Sequence, residues 1–182
     1  MIDGDKRKLI RSVETRFNQL ASQPDLTGLQ GIFGLKLEDA VIRATLVHLQ
    51  NLGIKFEDKP LDSRKSGFII AGPPGLIVIF DSGLSTTERM ARILHSLGHV
   101  RHRHVPIGRA KWGSLMEYPT PNIAPEVYAH QEHQANTWAT AFGKRVLRNN
   151  PTGNAELREL LTSSIANIRD ASGMGRRVVQ AS

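Results

Sequence analysis

The sequence lacks cysteine, has few aromatic residues and contains no long apolar run. Its 182 residues include no Cys and only 5% Phe, Trp and Tyr. Without cysteine the chain can form neither disulfides nor thiolate metal ligands, so any metal site must use His, Asp or Glu. The longest apolar run, Gly67 to Phe80, is interrupted by Gly72-Pro73-Pro74-Gly75 and is too short to span a membrane. Met1 to Arg16 has no apolar core like that of a secretory signal. We therefore expect a cytoplasmic protein with no membrane partner.

The composition that remains is that of a folded, basic protein. Hydrophobic residues make up 40% of the chain and charged residues 23%, which is typical of a globular domain. The formal net charge is +7, from 24 Lys and Arg against 17 Asp and Glu. Such a balance admits a nucleic-acid partner, although a solvated basic surface explains it equally well. The sequence has no helix-turn-helix or zinc-finger pattern, so we prefer the solvated surface.

Hydrophobic periodicity predicts an α+β fold with helices at both ends of a small β-sheet. Apolar residues at helical spacing indicate a first helix, and alternation after Gly53 indicates a strand. Two β-rich runs joined by Gly72-Pro73-Pro74-Gly75 predict a hairpin whose second strand is buried. The predicted helices cover residues 5–20, 36–52, 86–104, 125–147 and 155–170; the predicted strands cover 54–57, 67–71 and 76–80; loops cover 22–34 and 105–121, and 173–182 is a frayed basic tail.

Two histidines four residues apart mark a candidate metal site. Ser85 and Glu88 have the spacing of a capping box, which predicts the start of a helix that carries His95 and His99. Side chains at this spacing lie on one face of a helix, where both imidazoles can bind one ion. Glu132 on the next long helix can supply a third ligand. Two His and one Glu leave a coordination position open, as in catalytic zinc sites.

The same region resembles a known enzyme family. Three segments carry the resemblance: the strand Gly75-Leu-Ile-Val-Ile-Phe80, the helix Thr87-Glu-Arg-Met-Ala-Arg-Ile-Leu followed by His95-Ser-Leu-Gly-His99, and the later helix with Glu132-His-Gln-Ala-Asn136 and Thr140-Ala-Phe142. Together, from Gly53 to about Phe142, they are similar to the ImmA/IrrE-like zinc metallopeptidases.

The resemblance implies a zincin-like domain and assigns roles to several residues. The expected domain covers residues 53–148, with an N-terminal helical segment, 1–52, packed on it and a C-terminal helix and tail over 149–182. Zinc is the expected cofactor, with His95, His99 and Glu132 as its ligands, and Asn136 is expected to orient a ligand. The implied partner is a protein, such as a transcriptional repressor in a mobile-element or stress circuit.

The chain departs from the family pattern at the residue that matters most for catalysis. The family has a general-base glutamate where this chain has Ser96, and a serine hydroxyl is far too weak a base near neutral pH. Losing a general base lowers a rate by about 10²–10⁴-fold. The family's Leu-Leu-Met-Pro ending is also missing after Phe142. We therefore expect weakened or absent peptidase activity.

Three interpretations of Ser96 stay open. Natural loss of the base would leave a zinc-binding scaffold that acts by binding. Another group, His102 or His133, could replace the base. An engineered inactive variant would also have this sequence.

The cluster Arg101-His102-Arg103-His104, with Arg109 and Lys111, could bind phosphate. Cations in the last turn of a helix are, however, stabilised by the helix dipole without any partner. The rival function is a basic nucleic-acid-binding or regulatory protein on the same fold.

Overall fold

The chain folds into a mixed α+β arrangement that is mostly helical. The computed structural model describes residues 3–61, 67–72, 75–105, 116–119 and 123–179. Within these ranges the helices are α1 (Asp3–Ser22), α2 (Thr27–Phe33), α3 (Leu37–Asn51), α4 (Thr86–His102), α5 (Pro125–Asn149) and α6 (Ala155–Val179), and the strands are β1 (Ile54–Lys59), β2 (Gly67–Gly72), β3 (Gly75–Asp81) and β4 (Met116–Tyr118). The predicted α+β class is confirmed at this level.

The four strands form one sheet in the order β1-β3-β2-β4. β2 and β3 pair antiparallel, with Ile69 opposite Val78, as the predicted hairpin requires. β1 runs parallel to β3, and β4 runs antiparallel to β2 at the edge. Strand β3 is buried in the middle of the sheet, which confirms the prediction of a buried second strand.

The helices bury a shared apolar core around α4. Helix α4 packs against α5 and α6, and α1 contacts α4 and α5. The Phe17 and Phe142 rings, 5.4 Å apart and nearly perpendicular, join α1 to α5. Trp138 stacks on Phe142 with the ring centroids 5.0 Å apart, so it packs against the same core. Burying a side chain of this size stabilises the fold by about 1.5–3 kcal/mol, and this core fixes the relative position of α4 and α5.

Several predicted element limits are wrong. The expected loop over 22–34 contains α2; Gly28 and Gly31 lower its intrinsic helix propensity, which is why the sequence did not predict it. The three-residue β4 lies in an expected loop, because three residues are too few to show a period. Helix α6 continues to Val179 through the expected tail, since its glycines weaken a helix without ending it.

No helix in the described part of the chain is long and apolar enough to cross a membrane.

Candidate metal centre

The helix that carries the two histidines begins at the predicted capping box. The Ser85 Oγ accepts a hydrogen bond from the Glu88 backbone N–H, and the Glu88 carboxylate accepts one from the Ser85 N–H at 2.8 Å. The box is therefore confirmed. Reciprocal bonds of this kind fix the first turn and hence the rotation of α4 about its axis. That rotation decides which residues of α4 face α5.

A close approach of α4 and α5 brings the candidate ligands together. Gly98 lies directly against Ala135: a Cβ added at Gly98 would stand 2.5 Å from the Ala135 carbonyl oxygen and 2.8 Å from its Cα. Only glycine allows the two backbones to come so near. His95 lies three residues before Gly98, and Glu132 lies three residues before Ala135, so both stand about one turn from the contact.

His95, His99 and Glu132 form a compact cluster in this structure. Their ligand atoms all lie within 4.8 Å of one another. The Glu132 carboxylate is 3.1 Å from His99 Nε2 and 3.3 Å from His95 Nε2, and the two Nε2 atoms are 2.8 Å apart. His99 is almost fully buried, at 1% exposure. The three side chains predicted to meet at a metal therefore do meet.

The cluster suits a metal ion in its chemistry and in its two distances to Glu132, while the two histidine Nε2 atoms, 2.8 Å apart, lie closer than ligands of one ion would. Imidazole nitrogen and carboxylate oxygen are ordinary zinc ligands at about 2.0–2.2 Å, which places neighbouring ligand atoms of a tetrahedral site roughly 3.3 Å apart. The two distances to Glu132 match this spacing. The arrangement could hold a metal ion, and the same donors also suit other first-row metals.

Asn136 fixes the direction in which His95 presents its lone pair. The Asn136 Oδ1 lies 2.7 Å from His95 Nδ1. An amide oxygen only accepts, so His95 Nδ1 carries the hydrogen and its Nε2, facing Glu132, carries the lone pair. This is the contact expected of a residue that orients a ligand, one turn beyond Glu132 on α5.

Burial keeps His99 neutral, and its neighbours are a second histidine and a glutamine. Desolvation lowers the pKa of His99 to about 4, against the opposing effect of Glu132. The Nδ1 of His99 lies 2.9 Å from the Nδ1 of His104, and the Nε2 of His104 lies 2.9 Å from the Gln134 Oε1. A neutral imidazole is the form that binds a metal.

Glu132 is ionised and has two further polar neighbours, Tyr128 and Arg92. Its burial would raise its pKa, but the neighbouring His95 and His99 imidazoles hold that pKa well below the usual range. Burial, the Glu132 charge and a hydrogen bond to Glu132 raise the pKa of Tyr128 to about 12. The phenol is therefore protonated and donates to the carboxylate. The Arg92 guanidinium interacts electrostatically with both Glu132 and Tyr128, and burial lowers its pKa.

The remaining predicted site residues lie elsewhere around the cluster. Ser96 follows His95 on α4 and is buried, at 5% exposure. His102 is exposed, and its ring stacks on His104, with the centroids 5.6 Å apart. His133 is exposed on α5. The structure therefore does not bring His102 or His133 into the His95, His99 and Glu132 cluster. Arg109 and Lys111 of the predicted basic cluster lie outside the described residues.

Sequence reasoning missed Tyr128, Arg92, Gln134 and the contact of His104 with His99. For Tyr128 a signal existed, since it stands one turn before Glu132 on α5 and so shares its face. Arg92 likewise precedes Ser96 by one turn on α4. The pairing of His104 with His99 depends on the backbone after α4, where Arg103 adopts φ 63°, and the residue type gives no sign of it.

The chain matches no protein-family model, no curated protein and no solved structure.

Proposed function

We propose that this chain binds one zinc ion through His95, His99 and Glu132 and is an ImmA/IrrE-like protein with a zincin-like metallopeptidase fold. One observation carries the proposal: two imidazole nitrogens and a carboxylate, contributed by two helices, converge within 4.8 Å. The order of a β-hairpin, a helix with both histidines and a later helix with the glutamate supports it. Peptide hydrolysis is weakened or absent, because Ser96 stands where a general base is needed.

The residues around the proposed ion divide into those that bind it and those that complete the site. A bound zinc would supply Lewis acidity toward the oxygen atom of a water or substrate. His95, His99 and Glu132 hold the ion, and Asn136 orients His95 at 2.7 Å. Tyr128 remains protonated because its pKa is raised to about 12, so it acts as a hydrogen-bond donor and not as a base. No cluster residue described here replaces the missing glutamate as a proton acceptor.

The proposed partner is a regulatory protein, which the chain binds or cleaves slowly. An exposed apolar surface at the start of α5 supports a protein partner: Val127 is 46% exposed and Tyr128 is 36% exposed. Tyr128 also contacts Glu132, so this surface adjoins the metal ligands. Aromatic side chains are enriched at protein–protein interfaces.

Metal content of the purified chain tests the proposal. We expect about one zinc per chain, lost on dialysis against chelator, because three ligands leave the ion accessible. His95→Ala should remove it, whereas His133→Ala, which changes an exposed histidine on α5, should keep it. Absence of zinc from the unsubstituted chain would refute the proposal and favour the basic nucleic-acid-binding alternative. That alternative requires DNA binding with a steep dependence on salt.

A further inference from the structure

We infer that His104 and Gln134 are positioning residues of the metal site, which fix the tautomer and ring orientation of His99 so that its Nε2 lone pair faces Glu132. The inference rests on the proposed zinc site and adds two residues to it. We call the three side chains the His99–His104–Gln134 chain of hydrogen bonds.

The direction of each hydrogen bond in this chain follows from its last member. The Gln134 Oε1 can only accept, so the His104 Nε2, 2.9 Å away, carries a hydrogen. A neutral His104 ring then has a bare Nδ1. Because this atom lies 2.9 Å from His99 Nδ1, the hydrogen between them belongs to His99. The Nε2 of His99, 3.1 Å from Glu132, is left with its lone pair.

The two proposed histidine ligands are thus oriented in the same way. His95 donates from Nδ1 to Asn136, and His99 donates from Nδ1 to His104. Asn136 and Gln134 are two residues apart on α5, the helix that also carries Glu132. One helix therefore supplies a ligand and, directly or through His104, the orienting oxygen for each of the other two ligands.

The backbone after α4 is shaped to bring His104 back over His99. Arg103 adopts φ 63°, the His104 N–H donates to the His99 carbonyl at 3.1 Å, and the Arg103 N–H donates to the Val100 carbonyl at 3.3 Å. This pair of bonds is the Schellman motif, which commonly sets an apolar residue from the chain after the helix against one in its last turn. Here those two places are taken by His104 and His99, and the contact is a hydrogen bond.

Zinc affinity in three variants separates positioning from packing. In His104→Asn the side-chain oxygen takes the bonded place of Nδ1 and can still accept from His99; in His104→Phe the ring volume stays but the acceptor is lost. We expect His104→Phe to bind zinc about 10–100-fold more weakly, as is usual for loss of an orienting partner. His104→Asn should stay close to the unsubstituted chain, and so should His130→Phe, an exposed control on α5. The reverse order, with Phe tolerated and Asn not, would overturn the inference.

The tautomer of His104 provides a second measurement that needs no variant. Nitrogen-15 NMR of the zinc-loaded chain should show the His104 hydrogen on Nε2, and a hydrogen on Nδ1 would overturn the inference. In Gln134→Leu, which leaves His104 free to change tautomer, the Nε2 form should lose its dominance and zinc should bind more weakly. If the unsubstituted chain binds no zinc, the proposed function fails together with the inference. If it binds zinc and His104→Phe binds equally well, only the inference fails.

Discussion

A substitution at Ser96 is expected to change peptide hydrolysis without changing zinc binding. Ser96 follows His95 directly on α4 and is buried, and its hydroxyl cannot accept a proton near neutral pH. If the rest of the site is intact, Ser96→Glu should raise chelator-sensitive hydrolysis of an unfolded protein substrate by about 10²–10⁴-fold, the usual contribution of a general base. The measurement is the rate of peptide release with and without chelator.

Ser96→Gln is the matched control, because it has the size of glutamate without its basicity. Equal rates in the two variants would contradict the role of a lost base. A failure of Ser96→Glu to gain activity while it still binds zinc would mean that the cleft itself no longer accepts a peptide.

The residue scale also shows how far sequence spacing can predict a site. The four-residue spacing of His95 and His99 and the later Glu132 predicted a cluster that could hold a metal, and the structure contains it. Spacing works here because each helix repeats every 3.6 residues. Helical spacing could not predict the contact of His104 with His99, because His104 lies beyond the end of α4. There Arg103, in the left-handed region, changes the direction of the backbone. Glycine is the usual residue at that position, so arginine gave no signal.

At the scale of elements, the contact of α4 with α5 sets the distance between the ligands. A Cβ at Gly98 would stand 2.5 Å from the Ala135 carbonyl oxygen, and a backbone atom cannot move aside as a side chain can. Gly98→Ala should therefore push the helices apart, lowering the free energy of unfolding by about 1–3 kcal/mol and weakening zinc binding. Chemical denaturation and a zinc titration measure the two effects.

Gly143→Ala is the matched control for this change. Gly143 is also a buried helical glycine, but an added Cβ would meet the end of the Ile165 side chain at 2.8 Å, which can rotate away. Zinc affinity should be unchanged in this variant. If Gly98→Ala also keeps full zinc affinity, the close helix contact does not set the ligand distances.

Elements with strong local signals were predicted and weak ones were not. The capping box of α4, the buried β3 and the hairpin follow from local residue patterns, and the structure contains all three. α2 and β4 were missed because each is short, seven and three residues; β4 also depends on pairing with the distant β2. Helix α4 also ends at His102, two residues before the predicted limit, since Arg103 leaves the helical region.

At the scale of the whole molecule, a metal at this site would join two helices of the core, α4 and α5. α4 contributes His95 and His99, α5 contributes Glu132, and α1 packs on α5 through Phe17 and Phe142. The division of the chain at residues 52 and 148 stays a prediction.

The stability of the metal-free fold depends on pH through His99. Burial lowers the pKa of His99 to about 4, so the folded chain binds fewer protons than the unfolded chain, whose histidine pKa is about 6.5. Above about pH 6.5 His99 is neutral in both states and does not affect metal-free stability, whereas between about pH 6.5 and 4 the unfolded chain takes up the proton first, so the metal-free fold loses stability as the pH falls.

Zinc should therefore stabilise the whole fold most clearly at a pH where His99 contributes no proton effect, such as about pH 7.5. A ligand that binds only the folded state at 100 times its Kd adds about 2.7 kcal/mol, which for a chain of this length corresponds to a rise in Tm of roughly 5–10 °C. Thermal unfolding with zinc and with chelator measures this difference, and His95→Ala should show none. An equal rise in His95→Ala would mean that zinc acts elsewhere, through non-specific contacts with the surface. A rise confined to the unsubstituted chain would mean that the bound ion stabilises the contact of α4 with α5, because separating the two helices moves His95 and His99 away from Glu132.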